Sequence, residues 1–242
     1  MDAVVAKLRS ARRVAVLTGA GISAESGIPT FRDALTGFWA RFRPEALATP
    51  EGFARNPDLV WRWYRERRLR LREVQPNPGH YALAELARRV PELTLVTQNV
   101  DGLHARAGSP EVIELHGNLT RVRCFGCGQS PPDFTDSETV PLCAICGSPL
   151  RPDVVWFGEL LPEAALRRAH AAARSCELFF SVGTSNLVEP AASLPWLAEA
   201  AGATVVIVNP SLEGQLQGPR IHPLAGPAGR ILPALFRKAW PE

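Results

Sequence analysis

The 242-residue chain contains no apolar run approaching the ~20 residues that a membrane-spanning helix needs, which excludes a protein anchored by helical spans. Its first residues, MDAVVAKLRSARR, place charges inside their only apolar patch and lack the apolar centre of a secretory signal, so a cytoplasmic setting is expected. Lysine is nearly missing, with 2 Lys against 25 Arg. That skew reads mainly as a codon or habitat bias of the kind a heat-adapted source can show. A large charge of one sign is also missing: the net charge of +3 gives no broad basic footprint for nucleic acid. Internal repeats and low-complexity tracts are absent too. What remains is ordinary for a globular protein, 46% hydrophobic and 21% charged, and long enough to bury a full core.

Cysteine is scarce but organised. Four of the five form two C-x-x-C pairs, Cys124/Cys127 and Cys143/Cys146, separated by fifteen residues and each followed by a glycine, Gly128 or Gly147. Without an export signal, this pattern favours metal over disulfides. Four thiolates at this spacing suit one tetrahedral zinc ion; iron and a pair of disulfides are the alternatives. Four protein ligands leave no position for a reactive water, so the zinc is expected to be structural. Cys176 stands apart and reads as a buried core thiol.

Short apolar runs alternate with helical patterns, as in a parallel α/β sheet. Strands are predicted at 14–18, 93–97, 112–115, 178–182 and 204–208, all continuous runs suited to burial on both faces. Helices are predicted at 80–89 and 163–175, among others. The fold class is therefore α/β: a Rossmann-like parallel sheet with helices on both faces, plus an inserted small zinc-binding and helical domain. Residues 1–35, 77–118 and 151–242 would form the Rossmann-like domain. A helical insertion at 36–76 and a zinc ribbon at 119–150 would form the small one. The predicted strands run into Thr18-Gly19-Ala20-Gly21, Gln98-Asn99-Val100-Asp101, His116-Gly117-Asn118, Gly183-Thr184-Ser185 and Asn209-Pro210. Parallel sheets bind ligands at the carboxyl ends of their strands, so these endings would gather on one edge.

Gly19-Ala20-Gly21-Ile22-Ser23-Ala24 fits G-x-G-x-x-G/A, in which glycines let backbone N–H groups approach a pyrophosphate. A bare glycine-rich turn would look the same. The usual acidic residue about 20 positions on is missing, because the chain leaves the sheet through Pro29-Thr30-Phe31-Arg32-Asp33. An ordinary dehydrogenase fits poorly. His116, at a strand end, could serve as a general base near neutral pH or merely pin a loop.

Taken together, these blocks resemble the sirtuins, NAD-dependent protein lysine deacylases. The resemblance rests on Gly19 to Ser23, Gly27-Ile28-Pro29-Thr30-Phe31-Arg32, Thr97 to Asp101, His116-Gly117 and the four cysteines. Arg151-Pro152-Asp153-Val154-Val155-Trp156-Phe157-Gly158-Glu159 and Gly183-Thr184-Ser185 complete it. The blocks keep the family's order over nearly the whole chain. The resemblance implies NAD as co-substrate, with Gly19, Ala20, Gly21, Ile22 and Arg32 at the phosphates and ribose and Phe31 in a closing loop. Gln98, Asn99 and Asp101 would line the nicotinamide end; Gly183, Thr184, Ser185, Asn209 and Ala228 would line the adenosine end. Asn99 and His116 would be catalytic. The acyl oxygen would attack the nicotinamide ribose as nicotinamide leaves, with His116 then acting as base towards a ribose hydroxyl. Water would finish the reaction, giving free lysine and O-acyl-ADP-ribose.

An acylated lysine in a protein or peptide is the implied partner. Its backbone would pair as an added strand between Val154, Val155, Trp156, Phe157, Gly158 and Glu159 on one side and residues 186–189, with Val188, on the other. Tyr64 and Arg67 match the Tyr-x-x-Arg pair of the class III branch, which receives a carboxylate in the acyl pocket. Residues three apart on a helix share a face, and a guanidinium can hold a carboxylate bidentately. Succinyl or malonyl is thus the expected acyl group, with acetyl slower. Periodicity does not separate Arg67 from Arg68 among six arginines in 62–72, and a solvated basic face is the rival reading. Asn186-Leu187 follows Ser185 where many members have glycine, and Pro210-Ser211 follows Asn209 in place of the frequent Leu-Glu. The alternative activity is mono-ADP-ribosyl transfer from the same pocket. A non-catalytic NAD-sensing module would lack the base or the Asn99/Asp101 pair, and a zinc-finger nucleic-acid binder would need more basic residues around its knuckles. No direct nucleic-acid or membrane partner is expected, and the protein is expected to be a monomer.

Overall fold

A computed structural model of the chain describes residues 1–28, 43–215 and 217–241. It opens with α1 (Asp2–Ser10), β1 (Arg13–Thr18) and the short α2 (Ala20–Ser23). Four helices follow: α3 (Pro44–Leu47), α4 (Pro50–Arg55), α5 (Pro57–Glu73) and α6 (Pro78–Arg89). All four start on proline, whose missing N–H costs nothing at a first helical position. Thr49, Asn56 and Asn77 cap the last three by accepting backbone N–H bonds.

The chain continues through β2 (Glu92–Thr97), α7 (Leu103–Arg106) and β3 (Ile113–Glu114). An antiparallel hairpin, β4 (Gly117–Cys124) and β5 (Leu150–Val154), leaves the sheet next. Then come α8 (Glu163–Ser175), β6 (Leu178–Val182), α9 (Leu194–Ala200), β7 (Thr204–Asn209), β8 (Ile221–Ala225) and α10 (Ala228–Ala239).

The main sheet runs β3-β2-β1-β6-β7-β8, with every pair parallel. The strand order reverses between β1 and β6, where an open α/β sheet leaves a ligand crevice. Alternate residues of one strand face opposite layers. Val14, Val16 and Phe180 pack with α1, α6 and α10, while Ala15, Leu17 and Phe179 pack with α8 and α9. Phe179 and Phe180 are both fully buried, so truncating either to alanine would cost about 3–5 kcal/mol. Cys176 lies in the second of these layers, as its reading as a core thiol requires.

Two further apolar clusters join α3, α4 and α5 to the hairpin. One holds Phe53, Val60, Trp63, Tyr64, Leu71, Val154 and Trp156; the other holds Trp61, Val122, Cys124, Cys143 and Leu150. All five strands expected from the sequence are present. The sixth, β8, and the hairpin were not foreseen. The expected extended segment at 154–159 is only partly so. Val154 ends β5, and Phe157 and Gly158 form a turn with Gly158 at φ 87. No helix among the described residues is long and apolar enough to cross a membrane.

Candidate active site

The first two strand ends on either side of the reversal lock together through backbone alone. Gly21 donates its N–H to the Gly183 carbonyl at 2.7 Å, and Gly19 donates to Val182 at 3.0 Å. A Cβ on Gly21 would stand 2.7 Å from that carbonyl oxygen. Glycine is therefore required first by the packing of two turns. The open backbone beside Ala20, which is exposed, comes with that packing. Thr184, just beyond, is buried and accepts from Gln98 Nε2 at 3.0 Å, while its carbonyl accepts from Asn209 Nδ2 at 2.9 Å. Ser185 is exposed at the rim. Ala228 is buried at the start of α10, where Glu25 accepts the next N–H, that of Gly229, at 2.7 Å. Phe31 and Arg32 lie outside the described residues.

Beneath these turns lies a buried polar network, and its proton positions follow from its partners. Asn77 N–H donates to His80 Nδ1 at 3.3 Å, so His80 carries its hydrogen on Nε2, which points at Ser23 Oγ over a longer 3.4 Å. Ser23 also accepts from Asn99 Nδ2 at 3.2 Å and donates to Asp101 Oδ2 at 2.7 Å. Asn99 Nδ2 reaches the Gly19 carbonyl at 3.0 Å as well, tying the β2 end to the glycine turn. Thr18 donates to Thr97 Oγ1 at 2.8 Å and so accepts from His104 Nε2 at 2.9 Å. His104 Nδ1 is then a bare acceptor with no partner among the described residues, beside a cavity of about 10 Å³, near the lower limit for one water. Burial pushes His80 down to about 4 and, with His80 alongside, His104 down to about 3, so both rings are neutral. Burial raises Asp101 above its ordinary value, against its hydrogen bonds from Leu103 and Ser23.

Sequence reasoning expected Asn99 and Asp101 at the nicotinamide end and gave Ser23, Thr18, His80 and His104 no role. His80 had a usable signal, since Asn77-Pro78-Gly79-His80 is a capping box that pins the imidazole at the first turn of α6.

His116 lies between β3 and β4. Its Nδ1 sits 2.9 Å from the Gln98 carbonyl, which can only accept, so Nδ1 bears the hydrogen and Nε2 is left as a bare lone pair. Burial lowers its pKa, outweighing the opposing bond to Gln98, and the ring is neutral near pH 7. Gly117 follows at φ 79, and a Cβ there would meet the Asp153 carbonyl at 2.1 Å. The Val155 N–H closes this corner on the His116 carbonyl at 2.9 Å. Backbone thus holds His116 on both sides, with Nε2 unprotonated and able to accept a proton.

Beyond His116, the segment expected to pair with a peptide divides its residues. Trp156 and Glu159 turn inwards. The Arg151 guanidinium stacks on the Trp156 ring at 3.4 Å and pairs with Glu159 at 2.5 and 2.8 Å, and Glu159 also accepts the Trp156 N–H. Glu159 thus braces the turn through its side chain, which leaves its backbone as the part that could face a peptide. Phe157, Leu187 and Val188 are exposed on the two sides.

The arginine run on α5 is sorted by helical face. Arg65, Arg68 and Arg72 turn to the loop between the cysteine pairs, while Arg67, about 100° around the helix from Arg68, turns to Trp63 and Tyr64. The solvated-face reading fails for Arg67: its Nε and one terminal nitrogen are buried without a hydrogen-bond partner among the described residues. Tyr64 is 4% exposed, and its hydroxyl lies 2.9 Å from Trp156 Nε1. Burial raises the phenol to about 12, so it stays protonated.

The four cysteine sulfurs lie within 4.8 Å of one another. Across the pairs, Cys124 and Cys146 lie 3.4 Å apart and Cys127 and Cys143 3.8 Å apart, far longer than a disulfide bond. Both knuckles repeat one turn, with Gly128 and Gly147 at φ 73 and 72 bonded back to Cys124 and Cys143. This all-sulfur donor set is positioned to bind one zinc ion with a closed shell.

Comparison with known proteins bears on this arrangement. The model of the Sir2 family matches residues 19–190. The NAD-dependent protein deacylase 1 of Pseudomonas aeruginosa is 55% identical over 250 residues, covering 100% of both chains. Among solved structures, a Sir2 homologue in complex with NAD is 42% identical with a TM-score of 0.88, spanning 99% of this chain and 93% of that one. A mutant Sir2 homologue in complex with 2′-O-acetyl ADP-ribose is 43% identical with a TM-score of 0.90, spanning 99% and 96%. The glycine turns, the Asn99–Asp101 network, His116 and the four cysteines all fall within or beside the matched span, and the chain belongs to the Sir2 family.

Proposed function

We propose that this chain is an NAD-dependent protein deacylase that prefers acidic acyl groups, succinyl or malonyl, on lysine and removes acetyl more slowly. One observation carries the acyl preference: among the described residues, the Tyr64 hydroxyl hydrogen and two nitrogens of Arg67 are donors without an acceptor. An indole N–H can only donate, so Tyr64 accepts from Trp156 and its own hydrogen is directed elsewhere. Arg67 adds two buried N–H-bearing nitrogens that have no partner among the described residues. A buried guanidinium without an anion is costly, by several kcal/mol as an order of magnitude. A carboxylate at the end of an acyl chain would satisfy all three groups at once. An acetyl group ends in a methyl and offers no acceptor at that position.

The dinucleotide would lie across the reversal between β1 and β6. Gly19 to Ile22 and Gly183 to Ser185 would cradle it, Asn209 and Ala228 would meet its adenosine end, and Gln98, Asn99 and Asp101 its nicotinamide end. Phe31 and Arg32 join this assignment from sequence alone. Bound NAD supplies an electrophilic ribose carbon. His116, neutral and bare at Nε2, would take the proton of a ribose hydroxyl. The peptide would enter between the exposed Phe157 and Val188. Residues 36–76 and 119–150 would form one small domain, as their shared apolar clusters suggest.

The test is nicotinamide release from NAD with matched succinyl-lysine and acetyl-lysine peptides, using wild type, Arg67→Met and His116→Tyr. Succinyl should be preferred by wild type, the preference should vanish in Arg67→Met, and His116→Tyr should be inactive on both. Better turnover of acetyl-lysine with no effect of Arg67→Met would defeat the acyl reading. O-acyl-ADP-ribose among the products distinguishes deacylation from ADP-ribosyl transfer to protein.

A further inference from the structure

The loop between the two cysteine pairs grips α5 along one stripe. Asp58, Trp61, Arg65, Arg68 and Arg72 recur at intervals of three and four, so they share one helical face. Each bonds to the loop. Asp58 accepts the Val140 N–H at 2.9 Å, Trp61 Nε1 donates to the Ser137 carbonyl at 2.8 Å, and Arg65 donates to the Asp136 carbonyl at 2.8 Å. Arg68 donates twice to Asp136 Oδ1, at 3.1 and 2.7 Å, and Arg72 donates to Oδ2 at 3.2 Å. The Arg68 guanidinium also stacks over Trp61 and Phe134 at 4.3 and 5.6 Å.

Asp136 is the centre of this grip. It takes three side-chain bonds through its carboxylate and one through its carbonyl, and its pairing with Arg68 is nearly water-free, at 3% and 11% side-chain exposure. Tyr64 and Arg67 lie on the neighbouring stripe of the same helix, in register with Val60 and Leu71. A rotation of α5 about its axis would therefore turn Arg67 away from Tyr64 and Trp63.

We propose that Asp136, in the loop between the cysteine pairs, is a positioning residue for acyl selectivity: it fixes the rotation of α5 and so aims Arg67. The proposal rests on the reading of Tyr64 and Arg67 as the carboxylate receptor. Misplacing a binding group by about an ångström can cost orders of magnitude, and a modest rotation should cost about tenfold.

Steady-state kinetics of the full chain with succinyl-lysine and acetyl-lysine peptides would be measured for wild type, Asp136→Asn, Arg65→Gln and Arg67→Met, with thermal melts alongside. Asp136→Asn should raise the KM for the succinyl peptide about tenfold, leaving the KM for NAD and both constants for the acetyl peptide within about twofold. Arg65→Gln removes one strut without stranding a buried charge and should shift the same KM in the same direction, which keeps the question answerable if Asp136→Asn folds poorly. A merely structural role would lower both substrates in parallel, and that result overturns the proposal. So does an unchanged succinyl KM in both Asp136→Asn and Arg65→Gln while Arg67→Met abolishes the preference. If Arg67→Met itself leaves the preference intact, the receptor reading fails and the proposal falls with it.

Discussion

At the scale of single residues, direction of hydrogen bonding decides what the site can accept. Trp156 is the instructive case. It is 2% exposed, braced by Arg151 on its face, and its N–H fixes Tyr64 as acceptor from one side and donor to the other. Trp156→Phe keeps most of the apolar volume and removes only that polarity. Tyr64 can then turn its hydrogen away from the pocket, and the succinyl-over-acetyl ratio should fall by about 1 kcal/mol, roughly fivefold. Competition between the two peptides in one assay would measure it, and an unchanged ratio would mean that Tyr64 does not contribute as a directed donor. Such polarity cannot be read from sequence. Tyr64 and Arg67 were legible there as a spaced pair, but the choice of Arg67 over Arg68 needs to know that Asp136 already occupies Arg68. His104 gave no such sign, because its bond to Thr18 exists only once α7 is packed against β1, whereas His80 was signalled only as a cap and not as a partner of Ser23.

At the scale of elements, the turns after β1 and β6 behave as one interlocked unit. Gly183 sits at φ 61 with the Ile22 amide nitrogen 2.3 Å from where a Cβ would stand. An alanine there would meet both a left-handed backbone penalty and a contact that cannot relax, since the neighbour is main chain. Gly183→Ala should lose about 2–4 kcal/mol of stability in urea unfolding and weaken NAD binding in the same variant. Retention of full stability would show that the two turns can separate. The sequence signalled both turns, because glycine at the end of a buried strand is hard to place otherwise. It signalled β8 poorly. That strand is an edge with alternating burial and a proline, Pro223, tolerated there because an edge strand can spare one donor. The hairpin was hidden for a related reason: β4 carries Thr120, Arg121 and Arg123 and slips register between Asn118 and Val122, so no apolar run announces it.

At the scale of the whole molecule, the polar network under the sheet edge joins elements distant in sequence, and its protonation links their stability to pH. His80 belongs to α6, His104 to α7, and their partners Ser23 and Thr18 to α2 and β1. Both imidazoles are held neutral by burial, at about 4 and about 3, against the ordinary value of about 6.5 in an unfolded chain. Between those values the unfolded chain binds protons that the folded one refuses, so folding stability must rise with pH. The contribution is complete above about 6.5 and is lost progressively as pH falls towards about 4 and then about 3. Burial lowers His116 too, which adds to the slope, whereas Asp101 is raised and opposes it upward from the ordinary carboxylate value. The clearest window is therefore the one just below 6.5, where carboxylates scarcely titrate. Urea unfolding at a series of pH values should show stability level above neutrality and falling steadily from pH 6.5 to 4.5. A double variant, His80→Asn with His104→Gln, should start lower but flatten that slope, because its side chains have no proton to take up. An equally steep slope in the double variant would place the acid sensitivity in groups outside this network.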